Sequence, residues 1–234
     1  MINEIHFPLS LTGSELDNYL SMGWYRMGQT IFSSDIMVFN GYIHTLHWLR
    51  IAVPKINYGR SQKKILVKNN DLTVEIKPYL ISAEIEELYA LYKASVDFEA
   101  PDSVTYYLQD EAVSNIYNTQ MIEIRDNNKL IAIGYFDSGE TSIAGILNFY
   151  HPAYKNRSLG KFLMLLKIEY AIKFRKEWYY LGYIANGYDK FDYKLFPDRK
   201  ATEVYDSVRK EWNPFSLPLS SGLLGFKIDI SSDG

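Results

Sequence analysis

Cysteine is absent from the 234 residues. That absence excludes disulfides, thiolate metal ligands and a cysteine nucleophile. Long apolar runs are missing as well. None approaches the ~20 residues that a membrane-spanning helix needs, and the first residues lack the charged-then-apolar pattern of a secretory leader. These absences predict a cytoplasmic protein with no membrane contact. Histidine is scarce, with four in the chain. His44 and His47 lie three apart in a segment that reads as a strand, where such positions face opposite ways. With no cysteine or carboxylate cluster beside them they read as structural, so neither a metal site nor a cofactor is expected. An excess of positive charge is lacking too. The net charge is -3, so the field of the whole chain does not attract nucleic acid, and any RNA site must be a local basic patch. Internal repeats and low-complexity segments are not seen.

Aromatic residues are plentiful: 20 Tyr and 12 Phe, a usage that favours β structure and aromatic-lined clefts over a helix bundle. The stretch 142–184 organises the rest. Ser142 to Tyr150 is apolar and β-rich, as in a strand buried on both faces. His151-Pro152 ends it, because proline cannot donate to a ladder. A basic loop follows, Lys155 to Lys161, then a helical run to about Lys176. Lys173, Arg175 and Lys176 complement the dipole at its end. Trp178 to Ile184 is the next strand. A basic, glycine-containing loop that opens a helix after a buried strand is a design for binding anions, since first-turn N–H groups lack partners inside the helix. An incidental basic βα loop explains the same residues, and spacing alone does not separate the two.

Before this stretch, Gly13 to about Leu20 reads as a helix capped by Ser14, and Trp24 to Phe32 as one strand. Ser33 to Gly41 reads as a connection and Tyr42 to Val53 as a strand stopped by Pro54. Arg60 to about Asn69 is a helix on which Arg60, Lys63, Lys64 and Lys68 form one basic stripe. A solvated charged face is the other reading of that stripe. Asp71 to Lys77 is a strand with Leu72, Val74 and Ile76 inward. Pro78 is a boundary, which gives an N-terminal α/β subdomain over 1–77 and a second domain over 78–234. Ser82 to about Val96 is an amphipathic helix, and Pro101 to about Gln109 a shorter one. Gln120–Arg125, Leu130–Phe136 and Ser142 onward form an antiparallel meander through two tight turns. After Ile184, Tyr188 to Lys194 reads as a short helix and Lys200 to about Trp212 as a longer one with Val204, Tyr205 and Val208 on one side. Asn213 to Gly222 is a connection and Leu223 to Ile230 a closing strand. Together these predict an α+β fold, a mixed and mostly antiparallel sheet flanked by helices.

The segment Arg157-Ser158-Leu159-Gly160-Lys161 resembles the pyrophosphate loop of GNAT acyltransferases, and the element order is theirs. Over 23–194 the chain is similar to the arginyl- and leucyl-tRNA–protein transferases of the N-degron pathway. NRSLGKF, YYLGY, Tyr193-Lys194 and GRSQKKILVKNNDL at 59–72 carry that resemblance, and GWYRMGQTIF at 23–32 does so more loosely. It implies a GNAT-like acyltransferase domain, aminoacyl-tRNA as donor and a protein or peptide N-terminus as acceptor. The Arg157–Lys161 loop would hold donor phosphates, and Arg60, Lys63, Lys64 and Lys68 would contact the tRNA backbone. Two departures stand out. The family's cysteine cluster would fall near Asn40, Ile43 and Leu46, where none is present. Its Arg-His pair is replaced by Val96-Asp97-Phe98.

The chemistry so implied is attack of an amine on an activated carbonyl. It calls for a free amine, a donor to the oxyanion and a proton for the leaving group. A peptide α-amino group titrates near ~8, so a weak base suffices. The candidates are His151, where the family has Asp-Pro, the phenols Tyr183 and Tyr193, the carboxylate Asp192 and the amide Asn148. Each has a structural explanation beside the catalytic one. Two other functions fit the residues. One is an N-acyltransferase that uses acetyl-CoA or another acyl-CoA, against which Phe162 weighs because such enzymes place a small residue there. The other is a non-catalytic RNA- or peptide-binding relative.

Overall fold

The computed structural model describes residues 3–39, 42–98, 100–109 and 115–216. In chain order the elements are β1 (Glu4–His6), α1 (Gly13–Ser21), β2 (Trp24–Met27), β3 (Thr30–Ser33), β4 (Ile36–Phe39), β5 (Tyr42–Ala52), α2 (Arg60–Lys68) and β6 (Thr73–Pro78). There follow α3 (Ala83–Lys93), α4 (Thr105–Leu108), β7 (Thr119–Asp126), β8 (Lys129–Ser138), β9 (Ser142–Tyr150), α5 (Leu159–Lys173), β10 (Trp178–Ala185), β11 (Thr202–Asp206) and β12 (Glu211–Pro214). Single 3-10 segments cover Pro152–Arg157 and Asp189–Leu195.

The main sheet runs in the order β12-β11-β5-β10-β9-β8-β7-β6, with β4 added to β5, and β1-β3-β2 form a small second sheet. The meander β6 to β9 is antiparallel throughout. Its β7–β8 turn is made by Asn127 and Asn128 at φ 48° and 73°, a conformation that asparagine tolerates better than most residues. α5 then crosses over, and β10 returns parallel to β9. This is the GNAT-like α+β arrangement expected from the sequence. Strand β5 lies between β10 and β11, so residues on both sides of Pro78 share one sheet.

Helix α5 covers one face. Leu159, Phe162, Leu163 and Ile168 pack there with Phe136, Ile143 and Tyr179. The other face is covered by α3, through Ile85, Leu88 and Tyr89 on Ile133, Tyr135 and Phe149. Beside α3, α1 and the small sheet pack on Trp48 and Tyr180.

Several local expectations are corrected. Helix α1 is capped by Thr12 rather than Ser14. The Thr12 hydroxyl accepts from the Glu15 N–H at 3.2 Å and the Glu15 carboxylate accepts from the Thr12 N–H at 2.8 Å, a reciprocal capping box. The segment Trp24–Phe32 is a hairpin and not one strand, because Gly28 turns the chain at φ 58°. The connection after Ser33 contains β4. Ile76 is 37% exposed on the edge strand β6. The second short helix shrinks to α4. The segment 200–212 is the hairpin β11–β12 and not a helix. Its Thr202–Val204 pairs with Leu49–Ile51 of β5, and the Asp206 carboxylate accepts from the N–H groups of Val208 and Arg209 in the turn. Val208, counted above as part of a helix face, is 90% exposed there. The expected strand Leu223–Ile230 lies outside the described residues.

Candidate active site

Strands β9 and β10 pair only from Ser142–Trp178 to Ala144–Tyr180. Beyond that point they part. Two irregularities set the divergence. The β8–β9 register shifts between Tyr135 and Phe136, opposite Gly145 to Leu147. The β10–β5 register shifts between Tyr180 and Gly182, with Gly182 at φ 87°, a backbone region that favours glycine. Bulges of this kind bend a strand and re-aim its side chains.

A cavity of about 730 Å³ fills the opening. On the α5 side its wall includes Asn148, Tyr150, Ser158, Gly160, Lys161 and Lys167. On the opposite side it includes Arg26, Trp48, Tyr89 and Tyr107. The cavity therefore passes through the sheet plane. Its charge is one-sided. Arg26, Lys155, Lys161, Lys167, Lys190 and Lys194 line it, and among the described residues no aspartate or glutamate does. Arg26 and Lys190 are paired with Asp137 and Asp97 outside the wall, so in a chain of net charge -3 the local positive field, which suits anions or developing negative charge, comes from Lys155, Lys161, Lys167 and Lys194.

Lys167 and Lys194 were not among the site residues expected from the sequence. Lys167 is fully buried in mid-helix. Its ammonium donates to the Tyr135 carbonyl at 2.7 Å and to Asn148 Oδ1 at 2.9 Å. Both acceptors are neutral, and an ammonium has three donors. Burial pulls its pKa down to about 7, opposed by the Asp137 carboxyl. Gly145 lies beside it, and a Cβ there would stand 3.7 Å from Lys167 Nζ, an ordinary contact, but a tight 3.1 Å from the Tyr179 hydroxyl. Lys194 donates to the Tyr183 carbonyl at 2.6 Å and lies over the Tyr183 and Phe191 rings, 4.6 and 4.7 Å from their centroids. Burial brings its pKa to about 7 too. A charged residue inside the apolar run Phe162–Ile168 was the signal for Lys167. It lies four residues after Leu163 and four before Ala171, on the core face.

The expected candidates separate. Asn148, Tyr183 and Tyr193 line the cavity. Tyr183 packs edge-on to Trp48 and Phe191, and burial raises its pKa. Tyr193 is 45% exposed, yet the crowded cavity wall around its hydroxyl still raises its pKa. His151 and Asp192 are not on the wall. His151 caps the 3-10 segment, its ring accepting from the Ala153 N–H at 3.2 Å, and burial together with Lys129 lowers its pKa. Asp192 is exposed on the 189–195 segment.

The phosphate loop separates as well. Ser158, at φ 56°, turns the chain into α5. Ser158, Gly160 and Lys161 reach the cavity with Lys155, while Leu159 is buried in the core. Arg157 points away from the cavity. Its guanidinium grips Asp71 through two bonds of 2.7 and 2.9 Å and donates to the Lys68 carbonyl, which ties α5 to α2. On α2, Arg60, Lys63 and Lys64 are exposed. Lys68 bonds the Asn156 carbonyl, so the stripe ends against the same loop. Asp97, where the family's Arg-His pair would stand, is bridged to Lys190 at 2.6 Å.

Residues 84–197 match the family model described as arginine-tRNA-protein transferase, C terminus. An aspartate/glutamate leucyltransferase of Saccharophagus degradans is 28% identical over 208 residues, 86% of this chain and 82% of the relative. One of Pseudomonas fluorescens is 30% identical over 180 residues, 74% of this chain and 73% of the relative. The chain belongs to the aminoacyl-tRNA–protein transferase family. Among solved structures it is similar to a GCN5-related N-acetyltransferase of Anabaena variabilis, with a TM-score of 0.42 at 9% identity, over 86% of this chain and 43% of that one. No described helix is long and apolar enough to cross a membrane.

Proposed function

We propose that this protein moves an amino acid from aminoacyl-tRNA to the N-terminal amine of a protein. We further propose that the amino acid is leucine and the acceptor begins with Asp or Glu, as the names of its relatives say of them. The observation that carries this reading is the cavity itself: it crosses the sheet at the β9–β10 opening, and four of the six cations on its wall, Lys155, Lys161, Lys167 and Lys194, have no ion pair among the described residues. A donor whose end is a phosphodiester and an acceptor with a carboxylate both suit that field.

The reaction is ester aminolysis. The amine nitrogen attacks the ester carbonyl carbon, the carbon–oxygen bond to the ribose breaks, and the proton lost by nitrogen ends on the ribose oxygen. At neutral pH about a tenth of a peptide α-amine is already unprotonated. Attack therefore needs little help, and stabilising the oxyanion is the larger task. Lys167 is the group we place there. It stands where β9 and β10 part, held by Tyr135 and Asn148, with one donor left over. Tyr183 and Tyr193 are the hydroxyls at hand to protonate the ribose oxygen. Ser158, Gly160, Lys161 and Lys155, at the start of α5, would hold donor phosphates. Arg60, Lys63 and Lys64 would follow the tRNA backbone, a contact made by charge and not by base reading. A donor of this kind places the reaction in the cytoplasm.

The test is a transfer assay with purified protein, leucyl-tRNA and a peptide that begins with Asp. The expected product is the peptide extended by one leucyl residue. A folded protein that extends no peptide with any charged tRNA would overturn the proposal.

A further inference from the structure

The Arg26 guanidinium is satisfied internally, although Asp137 Oδ2 beside it is buried without a hydrogen-bond partner among the described residues. The guanidinium bonds Asp137, Thr119 and the carbonyls of Gly28 and Leu108, and stacks on Tyr117. The basic face of α2 belongs to the donor reading above. Lys194 is different. Among the described residues its ammonium makes one hydrogen bond, to the Tyr183 carbonyl, where the group offers three. Among the described residues no carboxylate forms an ion pair with it or lines the cavity beside it, and burial lowers its pKa.

The surroundings fit a receptor for an anion. Lys194 projects over β10 at Gly182, two residues past the last β9–β10 pair, and a Cβ at Gly182 would stand 3.5 Å from Nζ. It is therefore in the opened part of the cleft, while Lys167 is closed in at the vertex. The faces of Tyr183 and Phe191 hold the ammonium by their quadrupoles. Such faces stabilise a cation without neutralising it. The other cation of this arm, Lys190, is already bridged to Asp97. Unlike Lys167, Lys194 is only half-buried, so an entering group can reach it.

We infer that Lys194 is the specificity residue for the acceptor, binding the side-chain carboxylate of an N-terminal Asp or Glu in a charge-assisted hydrogen bond. This rests on the acceptor side of the reading proposed above and assigns it to one residue. The reason an amide fails to substitute is physical. An Asn or Gln side chain has the same shape but no charge, so it leaves a desolvated ammonium unbalanced. Bonds to charged groups are about twice as strong as neutral ones.

The experiment measures equilibrium binding of two peptides that differ only in Asp or Asn at the first position, by titration calorimetry at pH 6.5, with no tRNA present. The wild type is expected to bind the Asp peptide at least tenfold more tightly. Lys194→Met should erase that ratio while changing the affinity for the Asn peptide less than threefold, and Lys194→Arg should keep most of it. A melt of each variant confirms that it is folded, and Lys194→Gln, closer in polarity, repeats the test if Met unfolds the site. Equal binding of both peptides to the wild type overturns the inference, as does a preference that survives in Lys194→Met and Lys194→Gln. Equal loss for both peptides in these variants also overturns it, because that marks a structural role. Failure of transfer is read separately, in the leucyl-tRNA assay. A protein that discriminates Asp from Asn yet forms no product keeps this inference and loses the proposed reaction.

Discussion

Arg26 and Lys167 are both buried cations on the wall of one cavity, and the protein treats them in opposite ways. Arg26 is matched by a carboxylate at 2.7 Å, with both side chains nearly inaccessible, and by a hydroxyl and two carbonyls besides. Lys167 has two neutral acceptors and, among the described residues, no carboxylate at contact distance. A charge that a fold needs for its own stability is given a counter-charge. A charge left without one costs stability, and it persists where something that comes and goes supplies the negative partner. The arginine therefore reads as architecture, fixing the β2–β3 hairpin to β8, and the lysine as function.

Removing each side chain sharpens this contrast. Arg26→Met should have the larger effect on stability, a loss of about 3–5 kcal/mol, because it strands a buried carboxylate. Burial already raises the pKa of Asp137, and Arg26 opposes that shift. Without Arg26 the folded state holds the Asp137 proton more strongly than the unfolded chain does. Stability of the variant should then fall, relative to wild type, as pH rises from about 4. Urea titrations at pH 4 and pH 7 check the direction. A variant that loses less than 1 kcal/mol at pH 7 would refute the architectural role.

Lys167→Met is expected to act mainly on turnover, lowering kcat by ~10²–10³, the usual effect of losing one oxyanion donor. Its stability signature is distinct. The folded pKa is about 7 and the unfolded one ~10.4, so the unfolded chain binds more protons between those values and wild-type stability rises across that window. The methionine variant lacks this rise. Its stability relative to wild type should worsen by on the order of 3 kcal/mol between pH 6.5 and pH 10. A flat difference would show that Lys167 titrates normally, and the comparison with Arg26 would collapse.

The same contrast explains what could be read from the chain. The meander, α5 and β10 were legible because their signals are local: continuous or alternating apolar strands, an Asn-Asn turn, a basic glycine loop. The hairpin 202–214 was not, because Val204, Tyr205 and Val208 match a helix face as well as a strand. Its conformation is decided by β5, some 150 residues earlier, which offers an edge to pair with. Asn148 on β9, Tyr183 on β10 and Tyr193 on the 189–195 segment were picked by position along the chain and do line the cavity. Lys167 was missed because its meaning depends on the Tyr135 carbonyl, 32 residues away. Arg157 looked like a phosphate ligand because its partner Asp71, 86 residues distant, is not visible in the loop's own sequence.

Smaller effects test the donor path. Lys63→Glu with Lys64→Glu should weaken tRNA binding and flatten its salt dependence by about two phosphate contacts, and a filter-binding series from low to moderate salt reads both. Unchanged slope and affinity would remove α2 from the path. Arg157→Ala should do least. Its ion pair with Asp71 is exposed to solvent, which screens it and leaves it little stabilising effect, and its guanidinium faces α2 instead of the cavity. Transfer should stay within threefold of wild type, with a melting temperature lower by a degree or two. Lys161→Ala, on the cavity rim of the same loop, should raise the KM for charged tRNA several-fold. If instead Arg157→Ala raises that KM and Lys161→Ala does not, Arg157 leaves Asp71 when the donor arrives, and the ion pair seen here is a resting contact that the phosphate replaces.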